Sequence, residues 1–352
     1  MKISFVTNGL TSGGSERVLS LVANEFAKRG YDVEILSYMD TVVFYELEPN
    51  IRVLFMDREA KSHSMLKKIL WLRKYVKSNK PDVVIAFLQR VYCLTIMSLL
   101  GTGIPVISSE RNDPRYYNKL YKLLMRIFLP FTSRHIVQTQ SIKEYFPKAI
   151  QRKTTIIPNP VNEDIYKINV DQVKKKDLII NVGRMTNQKN QLMLIDAFNQ
   201  IHQNFPSYQL YIYGDGPMRE KLEERISSLS LKDKVFMPGR CESIFERMSE
   251  ARLFCLSSDF EGMSNALIEA ICLGLPIVTT NVSGVKELIG DGQNGLVVEK
   301  GDKDGFVKAM KRILSDDTLM NSISVNNKKK ADDFRAKAII DQWEAVVNQV
   351  VH

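Results

Sequence analysis

Cysteine, histidine and tryptophan are all scarce in this sequence, with four, four and two among 352 residues. The cysteines, Cys93, Cys241, Cys255 and Cys272, stand far apart inside apolar runs and form no C-x-x-C pair. That spacing argues against a zinc site or a disulfide framework and for reduced thiols in a cytosol. No signal-peptide core is visible, because "MKISFVTNG" starts a strand at once. The most apolar long stretch, residues 91–108, is broken by Thr95, Ser98, Gly101, Thr102, Gly103 and Pro105. It predicts a buried helix, a turn and a strand, not a membrane span. Short-period repeats, low-complexity tracts and the G-x-G-x-x-G dinucleotide fingerprint are also missing.

What is present is a soluble, globular balance of 44% apolar and 25% charged residues, at a length that favours two domains. The net charge of +9 is uneven. Residues 1–165 hold 24 Lys and Arg against 15 Asp and Glu, whereas the remainder holds 25 of each. An acidic partner is therefore expected for the front half alone: nucleic acid, a membrane surface or an anionic substrate.

Short β-branched runs alternate with amphipathic stretches throughout. "ISFVT", "DVEILSY", "IRVLFM", "DVVIAF", "PVISS", "HIVQT" and "TTIIP" form a first series, and "LIINVG", "YQLYIYG", "KVFMPG", "ARLFCLSS", "LPIVTT" and "GLVVE" a second. The proline- and asparagine-rich "IPNPVNEDIY", residues 157–166, separates them, and "KKKD", residues 174–177, reads as a solvated charge run. This alternation predicts two facing, doubly wound, Rossmann-like α/β domains, 1–160 and 161–335, with a C-terminal helix, 336–352, able to cross back to the first. Such folds bind ligands at the carboxyl ends of their strands.

The informative residues follow strands. Gly13 and Gly14 precede a helix expected near Ser15, where bare backbone can approach a phosphate. In "NVGRMTNQKNQ", Gly183 allows a turn while Arg184 and Lys189 form a cation pair able to neutralise a diphosphate. Cations are disfavoured at a helix N-terminus, so an anion should compensate them. "YGDGP" reads mainly as a turn, with Pro217 as a first helical position, and "FMPGRCES" as a loop suited to a base edge. In "SSDFEGMSNALIEAICLGLPIV", Ser264 and Asn265 are good N-cap residues for a helix running from Ala266 to Leu273 and stopped by Gly274 and Pro276. Glu261 and Glu269 bracket its start. The intervening N–H groups at 263–266 suit an anion, and a carboxylate on either side suits hydroxyls, which together describe a nucleotide-sugar. Eight helical residues would span roughly 12 Å.

G-R-x4-K followed by E-x7-E resembles the retaining glycosyltransferases of family 4, which have the GT-B fold. The likeness extends over nearly the whole chain through the Gly-Gly loop, "IPNPV", "GDGP", "SxxEG" and "GLPIVTTNVSGVKELI". It implies that Glu261 contacts the donor sugar, Glu269 the ribose, and Arg184 with Lys189 the diphosphate. Gly262, Met263, Ser264, Asn265 and Ala266 would supply the helix N-terminus. Gly13 and Gly14 would face the phosphate, and Arg240 with Cys241 would border the base. No metal or other cofactor is expected; the one D-x-D, Asp302–Asp304, sits where helix capping explains it. Where many relatives carry a histidine after the fifth strand, "VISSERNDP" offers Glu110, Arg111 and Asn112 on the acceptor side. Arg111 cannot act as a base, and His135, opening a strand, is read as structural. Retaining transfer by same-face attack needs no protein nucleophile, since the departing phosphate can take the acceptor's proton.

Two basic segments with apolar and aromatic residues, 61–80 and 115–131, are candidates for an anionic membrane surface. Together with the resemblance they imply an oligosaccharide or polyprenyl-diphosphate-linked acceptor and a cytoplasmic protein peripheral on the inner face of the cytoplasmic membrane, within cell-surface polysaccharide synthesis. Two other readings are weaker. A nucleotide-sugar epimerase of the same fold fits E-x7-E less well, and a nucleic-acid binder has no recognition motif to support it.

Overall fold

The computed structural model describes residues 1–351. Two compact units are present: Met1–Pro160 together with the chain from Ala336 onward, and Val161–Arg335. Each is built around one parallel sheet.

In the first unit the strands are β1 (Lys2–Thr7), β2 (Asp32–Ser37), β3 (Arg52–Phe55), β4 (Val83–Phe87), β5 (Val106–Ser109), β6 (Arg134–Val137) and β7 (Thr154–Ile156), in the order β3-β2-β1-β4-β5-β6-β7. Phe5 pairs with Ile35 on one side and Ile85 on the other. All five residues of β4, "VVIAF", are buried, as continuous β-branched runs covered on both faces require. The connecting helices include α1 (Gly14–Lys28), α2 (Met65–Asn79), α3 (Gln89–Leu99) and α4 (Lys119–Phe128).

The second unit contains β8 (Leu178–Val182), β9 (Gln209–Tyr213), β10 (Val235–Gly239), β11 (Leu253–Leu256), β12 (Ile277–Thr280) and β13 (Leu296–Val298), ordered β10-β9-β8-β11-β12-β13. Its helices include α5 (Gln191–Asn204), α6 (Asn265–Cys272) and α7 (Lys303–Leu314). The last helix, α8 (Ala336–Val351), returns the chain to the first unit and packs on α1. There Trp343 stacks on Phe87 at 5.6 Å between centroids, and Glu344 accepts from Arg29 at 2.7 Å.

Both sheets reverse direction of growth once, between β1 and β4 and between β8 and β11. At such a switch point the adjacent connections leave on opposite faces and open a crevice beyond the strand ends. All thirteen strands correspond to runs read from the sequence. The charge run at 174–177 is a correction: Lys175 Nζ donates to the Ser249 carbonyl at 2.7 Å, and burial draws its pKa down to about 8.

Candidate functional site

The loop after β8 and the loop after β11 meet at the switch point of the second unit. A 3-10 turn, Asn187–Lys189, precedes α5, and Asn190 in left-handed conformation caps that helix by accepting from Met193 N–H. Three contacts fix the two loops together. Asp259 N–H donates to the Gln188 carbonyl at 2.8 Å, Asn190 Nδ2 to Asp259 Oδ1 at 3.0 Å, and Ser257 Oγ to the Lys189 carbonyl at 2.9 Å. Lys189 is thereby aimed at Glu261, with Nζ 2.5 Å from Oε1. Ser258 Oγ donates to the same oxygen at 2.7 Å. The Glu261 side chain is 8% exposed and that of Lys189 17%, so the pair is little screened by water. The anion expected to compensate Lys189 is thus Glu261 itself. Arg184, five residues earlier, is exposed and makes no ion pair among the described residues. Nothing in the sequence marks Gln188, Asn190, Ser257 and Ser258 as site residues, because polar side chains in a loop carry no pattern until the loops meet.

"YGDGP" buttresses this site from behind. Gly183 N–H donates to the Tyr213 carbonyl at 2.9 Å and Met185 N–H to the Asp215 carbonyl at 3.0 Å. A Cβ at Gly214, whose φ is +133°, would lie 2.1 Å from the Gly183 carbonyl oxygen. Only glycine permits that approach. Pro217 lies ahead of the following helix, which starts at Arg219, so it is a turn residue and not a first helical position. After β10, Arg240 is exposed, while Cys241 is half-buried with Sγ 3.5 Å from Ser243 Oγ.

α6 begins at Asn265, one residue earlier than expected, with Ser264 Oγ accepting from Leu267 N–H at 3.4 Å. Glu261 lies four residues before that start, in the loop, and Glu269 is the fifth helical residue. The 12 Å helical span is therefore corrected to a loop followed by about one turn. Gly262, Met263, Ser264 and Glu269 are buried, Asn265 and Ala266 half-buried. Asp302 caps α7 by accepting from Gly305 N–H at 2.9 Å.

In the first unit, Gly13 is the N-cap of α1 and Gly14 its first residue. The space over Gly13 is held by Glu16, whose Oε2 would lie 2.1 Å from an added Cβ, so an acid stands where a phosphate was expected. After β4, Leu88 has φ +71°, a strained conformation for leucine at that unit's switch point. Glu110 and Arg111 are buried. Glu110 accepts from Tyr92 Oη at 3.0 Å, Tyr117 Oη at 2.6 Å, and the N–H groups of Arg111 and Asn112 at 2.9 and 3.2 Å. Burial nevertheless pushes its carboxyl above the usual range. Arg111 donates to Ser109 Oγ and Asn159 Oδ1, both at 2.9 Å, and lies over Phe87 and Trp343. Burial draws its pKa down to about 9. Of the three acceptor-side candidates only Asn112 reaches solvent; the other two hold the loop that presents it. His135 is wholly buried with Nδ1 2.8 Å from Ser108 Oγ.

Residues 12–165 match the family Glycosyltransferase Family 4, and residues 163–330 match Glycosyl transferases group 1. A Campylobacter jejuni protein, GalNAc-alpha-(1->4)-GalNAc-alpha-(1->3)-diNAcBac-PP-undecaprenol alpha-1,4-N-acetyl-D-galactosaminyltransferase, is 30% identical, with 99% of each chain covered. The Escherichia coli UDP-Gal:alpha-D-GlcNAc-diphosphoundecaprenol alpha-1,3-galactosyltransferase is 26% identical over 85% of this chain and 84% of its own. Among solved structures, Anabaena HepE in complex with UDP-glucose superposes with a TM-score of 0.85 at 20% identity, covering 99% of this chain and 100% of that one. Two parallel-sheet α/β domains of this kind are the GT-B fold.

Proposed function

Because this chain belongs to the glycosyltransferases of group 1 and family 4, we propose that it moves a hexosyl unit from a UDP-sugar to a glycan carried on polyprenyl diphosphate, with retention at the anomeric carbon. The observation that carries the reading is the Lys189–Glu261 pair at the switch point of the second sheet. A carboxylate and an ammonium held together there form a self-neutralised site that a nucleotide-sugar can divide. Lys189 Nζ exchanges Glu261 for the diphosphate, joined by the exposed Arg184. Glu261, released, accepts hydrogen bonds from the sugar's hydroxyls. The first turn of α6 offers N–H groups to the same anion, Glu269 accepts from the ribose, and Arg240 and Cys241 border the base. The C–O bond to phosphate breaks as the acceptor oxygen attacks the same face, and the leaving phosphate oxygen takes the acceptor's proton. Charge stabilisation at the diphosphate and positioning supply the rate; two cations stand in the role a divalent metal would fill.

The named relatives support the acceptor class, since both act on undecaprenyl-diphosphate-linked glycans. An acceptor anchored in lipid suits work at the inner face of the cytoplasmic membrane. No helix among the described residues is long and apolar enough to cross one.

Titration calorimetry with UDP tests the site. Arg184→Ala and Lys189→Ala each remove a charge-assisted partner of roughly 1.5–3 kcal/mol, which predicts about ten- to hundredfold weaker binding. Glu269→Ala should raise the donor KM, and Glu261→Ala should depress kcat more strongly. Near-wild-type behaviour in all four variants would remove the assignment.

A further inference from the structure

The two partners of Glu261 Oε1 differ in their freedom to leave it. Lys189 Nζ, 2.5 Å away, is carried on a flexible four-carbon stem whose side chain is 17% exposed. Ser258 is wholly buried, two residues beyond the end of β11. Its carbonyl accepts from Thr280 Oγ1 at 2.5 Å. Thr280 is the last residue of β12, the strand beside β11, and is wholly buried as well. Ser258 Oγ, 2.7 Å from Glu261 Oε1, is one side-chain torsion away from this fixed backbone. The other carboxylate oxygen is less well served. Gln188 Nε2 lies 3.5 Å from Oε2 and donates its shorter bond, 2.8 Å, to the Phe260 carbonyl.

This asymmetry matters when a diphosphate draws Lys189 away. A carboxylate only 8% exposed is costly to leave without its ammonium and without a hydrogen-bond donor. Once Lys189 has moved, the Ser258 hydroxyl is the one short bond left on Glu261 among the described residues.

We propose that Ser258 is a positioning residue of the donor site, whose hydroxyl holds Glu261 in place while Lys189 exchanges it for the diphosphate. The proposal rests on the donor reading above, in which that exchange occurs, and it makes the exchange depend on a hydroxyl that meets Glu261 and not the ligand. Without that hydroxyl, the free chain still has Lys189 on Glu261. The liganded chain has a buried carboxylate with no short bond. The loss therefore falls on the liganded state, and appears as weaker binding.

Titration with UDP and with uridine tests this in wild type, Ser258→Ala, Glu261→Gln and the double variant. UDP is the stringent probe, because it has no sugar hydroxyls to replace Lys189 on Glu261. Uridine has no phosphate, so it leaves the Lys189–Glu261 pair closed. Ser258→Ala should bind UDP about tenfold more weakly than wild type, the effect of losing a hydrogen bond to a charged group. It should bind uridine within about twofold of wild type. In the Glu261→Gln chain there is no charge to satisfy, so adding Ser258→Ala should change UDP affinity by less than about twofold. A serine that only supports the fold would show no such coupling. Thr280→Val keeps the hydroxyl but removes the tether of its backbone, and guards against a Ser258 variant that does not fold. It should weaken UDP binding about threefold and leave uridine binding within about twofold. Wild-type UDP binding in Ser258→Ala overturns the proposal. So does a loss shared equally by UDP and uridine in either single variant, or one that persists in full beside Glu261→Gln. No UDP binding by the wild type overturns the donor reading, and this inference with it.

Discussion

At the scale of single residues, two charges and one imidazole carry the sharpest expectations. If Lys189 leaves Glu261 for the diphosphate, Glu261 competes with UDP for the ammonium. Glu261→Gln should therefore bind UDP at least as tightly as wild type while transfer falls at least tenfold. Weaker UDP binding in this variant would show that Glu261 helps hold the phosphates through some other arrangement. His135 offers a pH test of the first unit. Burial holds its pKa near 3, against 6.5 for an ordinary histidine, so the folded chain binds fewer protons than the unfolded one between those values. Stability from this group is complete above pH 6.5 and is lost as pH falls toward 3. The loss amounts to on the order of 5 kcal/mol at most, at 1.36 kcal/mol per unit. His135→Leu should flatten the fall of Tm with acid across that window, and an unchanged slope would contradict the assignment.

Among the elements, the loops after β8 and β9 act as one device. Gly214 meets the Gly183 carbonyl so closely that Gly214→Ala should cost about 1–3 kcal/mol in stability and weaken UDP binding beyond that, because the shifted loop carries Gly183 and Arg184. Equal loss in a control glycine substitution in a different loop, such as Gly292→Ala (φ +75°) in the turn before β13, would reduce the effect to strain alone. The elements themselves were legible in the sequence: β-branched runs gave all thirteen strands, and Ser264 with Gly274 fixed α6 to within one residue. Less legible was what the loops do when they meet. Nothing in "TNQKNQ" announces that Lys189 is bonded to a glutamate 72 residues on, since that contact comes from strand order and not from spacing. The same holds for Glu110, read as an acceptor-side candidate and found buried, accepting from two tyrosine hydroxyls. Charge runs misled for a related reason. Lys68, Arg73 and Lys175 look like solvated cations, yet each reaches a backbone carbonyl, a use of long side chains that composition cannot reveal.

Over the whole molecule, the account joins a donor unit with 24 Lys and Arg against 25 Asp and Glu to a unit that holds the entire basic excess. Arg184 and Lys189 are assigned the neutralisation that a divalent ion gives elsewhere, so EDTA should leave transfer within a few-fold of its untreated rate. Strict dependence on added Mg²⁺ or Mn²⁺ would show that the two cations are insufficient. The central claim is the transfer itself. The most direct measurement supplies the chain with a panel of UDP-sugars and a short polyprenyl-diphosphate-linked glycan, and follows the lipid-linked product by mass spectrometry. The account predicts that one UDP-sugar adds a single hexosyl mass to the acceptor, with one UDP released per sugar transferred. It is contradicted if no UDP-sugar adds mass to the lipid-linked glycan, or if the donor is epimerised or hydrolysed at the same rate whether or not the acceptor is present.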